Sequence, residues 1–299
     1  MEEKKPENLS EGILELIRRV STTLPGDVRE SIKKAVENEK KGSPAQTTLQ
    51  LLLKNSEAAE KNDTPICQDT GSLNFYVSYD PRSHTQKTLK LAIINATQKA
   101  TQKAYLRPNA VEPISGKNSG DNIGEGAPHI HFTESDEEDL EVKLLLKGGG
   151  SENVSAQYKL PDSKLGAGRD LEGVRKCVLD AVYHAQGLGC APGIVGVGVG
   201  GTDRVSSMMA AKEQLFRELN DENPDPKLNR LEKKLLDELN SLGIGPMGFG
   251  GNTTVLGVKV GARHRHPASF FVSIAYLCWA ARRGTMKVDS QGEVSYDST

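Results

Sequence analysis

The sequence predicts a mixed α/β (α+β) protein, and three observations predict it. Residues from about 1 to 62 carry helical periodicity; short β-branched or alternating runs follow between further helical stretches; and the 30 glycines cluster in the connections rather than spreading evenly. Clustered glycine marks backbone brought close to something. No internal repeat or low-complexity linker divides the chain, so 1–299 reads as one domain with a helical N-terminal region packed on a mixed sheet.

Ile13, Leu14, Leu16, Ile17 and Val20 make one apolar stripe, and Val28, Ile32 and Val36 a second. Leu49, Leu51, Leu52 and Leu53 make a third after Ser43-Pro44. The polar run Lys61-Asn62-Asp63-Thr64 closes this region. Pro65-Ile66-Cys67-Gln68-Asp69-Thr70-Gly71 then reads as a loop, because proline disfavours helix before it and glycine permits a tight turn after it. With Leu73 to Val77 as a strand, a thiol, an amide, a carboxylate and a hydroxyl stand together at a helix-to-strand junction, where scaffolds display chemistry. The alternative is an Asx-type turn beside a buried structural cysteine.

Thr85 to Tyr105 predicts a helix with Leu89, Leu91, Ile93 and Ile94 facing inward, ending before Leu106-Arg107-Pro108-Asn109. Asn109 to Gly126 lacks any period and reads as a long ordered loop. His129 to Phe132 and Leu140 to Leu146 flank the acidic turn Asp136-Glu137-Glu138-Asp139 and predict a β-hairpin. It runs into Lys147-Gly148-Gly149-Gly150-Ser151-Glu152-Asn153, whose glycines leave backbone N–H groups free to face an anion. Gly168 to Ala185 predicts a helix, with Cys177 beside its inner stripe as a small core hydrophobe rather than a ligand. Gly187 to Gly193 breaks that helix and exposes Cys190 on a loop.

Ile194 to Gly201 predicts a glycine-rich strand, and Thr202-Asp203 caps a helix from Arg204 to about Leu219. Gly196, Gly198 and Gly201 formally satisfy GxGxxG. A dinucleotide site is rejected, because the second strand it needs is replaced by Asp221 to Pro226 and a further helix through Leu231, Leu235, Leu236 and Leu239. These glycines permit close packing or aim a helix N-terminus at an anion. A non-catalytic anion- or nucleotide-binding protein using Gly196 to Asp203 is therefore the rival from another functional class. Leu242 to Thr254 is a second glycine-dense loop. Strands Val255 to Val260 and Ala268 to Ile274 follow, then Arg282-Arg283 and a polar hairpin around Ser290-Gln291-Gly292.

With a formal net charge of -2 and 26% charged residues, the chain has no basic footprint for nucleic acid or an anionic membrane surface, while small anionic substrates stay open. No apolar run approaches the ~20 residues of a membrane span, and Met1 to Pro6 precede an amphipathic pattern without a signal-peptide core, so a cytoplasmic protein is expected. The 4 cysteines are too few and too scattered for a disulfide framework, and none forms C-x-x-C. Cys67, Cys190 and Cys278 lie on or beside irregular segments. If the fold brings them together, three thiolates suit an iron–sulfur cluster with one iron open as a Lewis acid; otherwise they are separate structural thiols.

Cys67-Gln68-Asp69-Thr70-Gly71, Leu106-Arg107-Pro108-Asn109-Ala110-Val111, Lys117-Asn118-Ser119-Gly120-Asp121-Asn122, Lys147 to Asn153, and Arg265-His266-Pro267-Ala268-Ser269 together resemble the class I, iron–sulfur fumarases. The resemblance covers nearly the whole chain. It matches the N-terminal half of the single-chain enzymes, or the α subunit of the two-subunit fumarases and L-tartrate dehydratases. It implies reversible hydration of fumarate to (S)-malate at a [4Fe-4S] cluster held by Cys67, Cys190 and Cys278, with Gln68 and Asp69 lining the substrate pocket and Asp69 catalytic. It further implies that Arg107 grips a carboxylate, where a planar fork bonds bidentately as lysine cannot, and that the Gly150 N–H and His266 touch the same dicarboxylate. The family's catalytic threonine lies in the other half or the β subunit; as this chain stops at Thr299, an α2β2 complex is expected. The segment Cys190-Ala191-Pro192 departs from the many relatives that carry a second proline there. The Lys-Gly-Gly-Gly-Ser-Glu-Asn and Leu-Arg-Pro versions favour fumarate over L-tartrate, with mesaconate a further alternative.

Overall fold

The computed structural model describes residues 6–297. In chain order the elements are α1 (Pro6–Thr22), α2 (Gly26–Asn38), α3 (Pro44–Asn62), β1 (Ser72–Tyr79), α4 (Gln86–Gln102), β2 (His129–Glu134) and β3 (Leu140–Lys147). There follow α5 (Gly149–Asn153), β4 (Ala156–Lys159), α6 (Leu171–Ala185), β5 (Gly193–Gly200), α7 (Arg204–Gln214) and α8 (Pro226–Asn240). A short 3₁₀ turn (Pro246–Gly248), β6 (Val255–Arg263), β7 (Phe271–Leu277), β8 (Arg283–Val288) and β9 (Val294–Asp297) complete the chain. The mixed α/β class expected from the sequence is what forms. The chain makes two compact units, the first from residues through Gly26, Asn55–Gly149 and Arg282 onward, the second from Asp27–Lys54 and Gly150–Ala281. No helix among the described residues is long and apolar enough to cross a membrane.

The first unit is a five-stranded sheet of order β2-β1-β3-β8-β9. Because strand side chains alternate, Leu73, Phe75, Val77 and Tyr79 of β1 fall on one face with Leu144 and Leu146 of β3 and Met286 of β8, all buried against α1 and α4. Ile13, Ile17, Leu89 and Ile93 are 0% exposed there, and full burial of each such side chain stabilises by about 1.5–3 kcal/mol. Two expectations are corrected here. The hairpin over 129–146 does not form: β2 pairs parallel with β1 from Asn74↔His129, and β3 pairs antiparallel with the other edge of β1 at Phe75↔Leu144. No residue of β2 is buried, and Phe132 meets the Tyr79 ring of β1 edge-on at 5.9 Å; a free two-stranded hairpin is marginal in water. Leu91 points outward, 50% exposed, because Leu89, Ala92, Ile93, Ala96 and Ala100 make the buried stripe of α4. Leu51 likewise faces solvent on α3, where Leu49 and Leu52 face inward.

The second unit has the sheet order β4-β7-β5-β6, with β5 buried along its whole length. Val195, Val197 and Val199 of β5 pack into a core with α6 and α8, while the intervening glycines face α7. A Cβ on Gly196 would lie 2.2 Å from the Ala211 carbonyl oxygen, and one on Gly198 2.1 Å from that of Ser207. The GxGxxG-like spacing therefore serves close packing of helix on strand. Asp203 caps α7 by accepting the Ser206 N–H at 2.7 Å, and the helix ends at Gln214 rather than near Leu219. β7 begins at Phe271, three residues later than the Ala268 expected, because Arg265 holds 266–269 in a loop by donating from Nη1 to the carbonyls of His266, Pro267 and Ser269.

Candidate active site

In the first unit the 67–71 loop is anchored at Ile66, whose N–H donates to the Ser21 carbonyl at 2.9 Å and whose carbonyl accepts from Asn55 Nδ2 at 2.8 Å. Cys67 is then half-buried and Gln68 exposed. Asp69 turns back on the chain: Oδ1 accepts the Gly71 N–H at 3.0 Å and Oδ2 the Gly149 N–H at 2.8 Å. The Gly149 amide, expected to stand free toward an anion, thus faces an anion of the protein itself. Gly71 has φ +82°, and a Cβ there would lie 2.9 Å from the Lys147 backbone, so the turn requires glycine.

Buried Thr70 ties this loop to the next. Its Oγ accepts the Arg107 N–H at 3.0 Å and Asn109 Nδ2 at 3.1 Å. Asn122, buried in the left-handed region, donates to the Arg107 carbonyl at 2.9 Å and accepts the Asn109 N–H at 2.7 Å. The long loop after Arg107 is therefore ordered by its own side chains, as its ungoverned sequence led us to expect. Arg107 itself is exposed; Nη1 reaches the Gln68 carbonyl at a long 3.4 Å, and the rest of the guanidinium has no partner among the described residues. Gln68, Asp69 and Arg107 are thus brought together, with an open cationic fork beside them.

In the second unit Cys190 is exposed at φ +57°, a left-handed conformation uncommon for a non-glycine residue. Cys278 follows β7 and is 8% exposed. The two segments are pinned together where the Trp279 N–H donates to the Cys190 carbonyl at 3.2 Å. Tyr276 lies against this pair: a Cβ on Gly189 would meet its ring at 2.6 Å and one on Gly193 at 2.2 Å. Burial pushes the Tyr276 phenol above its usual range, and the thiols of Cys278 and Cys190 add to the effect. Among the described residues its buried hydroxyl has no hydrogen-bond partner. Cys177 is different, since burial pushes its thiol up to about 12 and keeps it an inert core group, as expected from its place on α6.

Gly150, in α5, and His266, on a loop before β7, both belong to this second unit. His266 is exposed, and its Nδ1 accepts the Ala268 N–H at 3.1 Å, which leaves Nε2 as the proton-bearing donor of a neutral ring. Gly150 opens against the 187–190 loop, a Cβ there lying 3.0 Å from the Leu188 carbonyl oxygen.

Among the described residues no group of three or more His, Cys, Asp or Glu side chains is placed to hold a single metal ion. The donors themselves fit iron–sulfur chemistry: Cys67 and Cys190 are loop thiols reached by solvent, and Cys278 is locked beside Cys190, whereas Cys177 is sealed in a core. Thr70, Asn109 and Asn122 stand in the sequence motifs without an assigned role, and they and Arg282 prove to shape the loops. Asn122 had a signal, an asparagine in a Gly-Asp-Asn run suited to a left-handed turn; Arg282 had none beyond its charge.

The family model described as "Fumarate hydratase (Fumerase)" matches residues 10–287. A Geobacillus stearothermophilus protein assigned as a class I fumarate hydratase is 49% identical over 292 residues, 96% of this chain. The chain spans 56% of that protein's length. A Methanocaldococcus jannaschii protein assigned as an L(+)-tartrate dehydratase α subunit is 35% identical, covering 94% of this chain and 97% of its own. The L(+)-tartrate dehydratase α subunit of Escherichia coli K12 is 32% identical, covering 94% of this chain and 90% of its own.

Proposed function

We propose, from the premise that this chain belongs to the fumarate hydratase (Fumerase) family, that it works as the α-type module of a class I hydro-lyase hydrating fumarate reversibly to (S)-malate. The observation that carries this reading is the meeting of Gln68, Asp69 and Arg107 on adjoining loops with most of the guanidinium uncommitted. That fork grips one carboxylate of a small dicarboxylate bidentately. The Nε2 proton of His266 and the Gly150 N–H donate to the same substrate. Asp69 keeps lone pairs beyond the two N–H groups it accepts, and serves as the carboxylate at the reacting end. Cys67, Cys190 and Cys278 would hold a [4Fe-4S] cluster, which when bound supplies a Lewis-acid iron.

We take 1–299 as one functional module that is completed by a β subunit in an α2β2 assembly in the cytoplasm; support comes from relatives named as α subunits. The same relatives, matched over nearly their full lengths, favour L(+)-tartrate as the second reading of the substrate, ahead of mesaconate. The nucleotide-binding alternative loses its feature, because α7 fills the glycine face of β5. Anaerobic assembly with a β-type partner, followed by kcat/KM for fumarate, malate, L-tartrate and mesaconate, tests the reading. A fully active complex without iron would sink the cluster, and activity on tartrate alone would hand the site to the second substrate.

A further inference from the structure

Arg282 lies immediately before β8, within the first unit, and is 1% exposed. Its backbone is fixed to β3, since its carbonyl accepts the Leu146 N–H at 3.0 Å. From that fixed point the guanidinium turns toward the 67–71 loop, and Nη1 donates to the backbone carbonyl of Asp69. No ion pair satisfies it among the described residues, and its Nε is buried without a hydrogen-bond partner. Burying a cation this way is costly, and the cost is not recovered from a carboxylate.

The space that admits this arrangement belongs to Gly148. A Cβ on Gly148 would lie 2.9 Å from Asp69 Oδ2 and 3.3 Å from Arg282 Nη2, so carboxylate and guanidinium approach the same point where a side chain is missing. Asp69 is then gripped from both ends. The Gly71 and Gly149 N–H groups hold its carboxylate oxygens, and Arg282 holds its carbonyl. The peptide that follows leads to Thr70, which in turn holds the backbone of Arg107.

We propose that Arg282 is a positioning residue: by fixing the Asp69 peptide it aims the Asp69 carboxylate and keeps Gln68 and Arg107 in register beside it. Its effect on catalysis rests on the hydro-lyase reading above; its effect on the loop does not.

The test uses the complete complex with Arg282→Gln, Arg282→Lys and Gly148→Ala. Amide hydrogen exchange over 66–72 and 146–150 reads the loop directly. Loss of a hydrogen bond from a charged donor should speed exchange of the Gly71 and Gly149 amides about tenfold in Arg282→Gln, with Arg282→Lys recovering part of the protection. In the same variant kcat/KM, measured well below both thermal midpoints, should fall about tenfold while iron per complex stays near wild type. Gly148→Ala places a methyl group between the two side chains and should reproduce the faster exchange even if Arg282→Gln does not fold. Unchanged exchange in the folded variants overturns the proposal, as does a loss of kcat/KM that only follows lost iron or a lowered midpoint. A wild-type complex that hydrates none of the dicarboxylates refutes the hydro-lyase reading, and the exchange measurement still decides the role of Arg282.

Discussion

Asparagine at position 69 keeps the shape of the native side chain and removes one acceptor. In the native loop Oδ1 and Oδ2 accept the N–H groups of Gly71 and Gly149 at 3.0 and 2.8 Å. An amide has one oxygen, so its NH₂ must face one of those two donors, and a bond is lost whichever way it turns. Hydrogen bonds to a charged group contribute about 1.5–3 kcal/mol, and water can reach exposed Gly149, which places the loss near the lower end, about 2 kcal/mol. At roughly 2–4 °C per kcal/mol for a protein of this size class, that is a drop of about 4–8 °C in thermal midpoint. Denaturant unfolding followed by circular dichroism should show the midpoint move with the m-value unchanged. A stability change below about 0.5 kcal/mol, within the range of ordinary surface substitutions, would refute the assignment of Asp69 as the clasp between the 67–71 and 148–150 backbones.

Arg107→Lys should lower kcat/KM of the assembled enzyme about 10- to 100-fold by losing one arm of a bidentate contact, without a change in thermal midpoint, because the side chain is exposed; a loss under about threefold would count against the carboxylate grip. Gly198→Ala places a Cβ 2.1 Å from the Ser207 carbonyl oxygen and 2.8 Å from the Ala211 nitrogen, so strand or helix must shift. Calorimetry should show a cost of about 3 kcal/mol or more, whereas Gly26→Ala, with nothing within 4 Å, serves as a near-neutral control. Iodoacetamide at mildly alkaline pH should label exposed Cys190 in the cluster-free chain well before Cys177, which reacts only on unfolding. The folded Cys177 thiol titrates near 12 against a reference of 9.0, so both states hold the proton below pH 9 and its contribution is intact there. As pH rises from 9 toward 12 the unfolded chain ionises first, and stability should fall by up to about 1.4 kcal/mol per pH unit from this group; equilibrium unfolding at stepped pH, with Cys177→Ala as reference, checks it.

What the sequence made legible was local. The helical stripe of Ile13, Ile17 and Val20, the capping of α7 by Asp203, and the buried standing of Cys177 follow from period, propensity and polarity, and they form as expected. Pairing was less legible, because period-2 alternation says which side chains share a face and not which strand lies alongside. The acidic turn at 136–139 reads as a hairpin until β1, distant in sequence, takes both partners. Leu91 and Leu51 show the same limit within helices: small residues such as Ala92 and Ala96 share the inner stripe and rotate the larger leucine outward. At the site, the flanking glycines and prolines drew attention to Cys67 and Cys190, and the glycine run 148–150 was read as leaving N–H groups to face an anion. That the anion met by Gly149 is Asp69 depends on contacts across 80 residues, and nothing in the sequence sets Arg282 apart from other charged residues.

The interleaved connectivity has a consequence for synthesis. Residues 150–281, which complete the second unit, are all synthesised before Arg282, β8 and β9. The second unit has all its strands when the first still shows β3 with an open edge, because the neighbour of β3 on that side is β8. An unpaired edge is the part of a nascent sheet most prone to wrong partners. The acidic and basic residues Glu141 and Lys143, which alternate along β3 with its buried positions, put charge on that strand during the wait. The same delay means that the Asp69 loop is translated early and clasped last, so a chain that ends just before Arg282 should carry a 67–71 loop without its arginine.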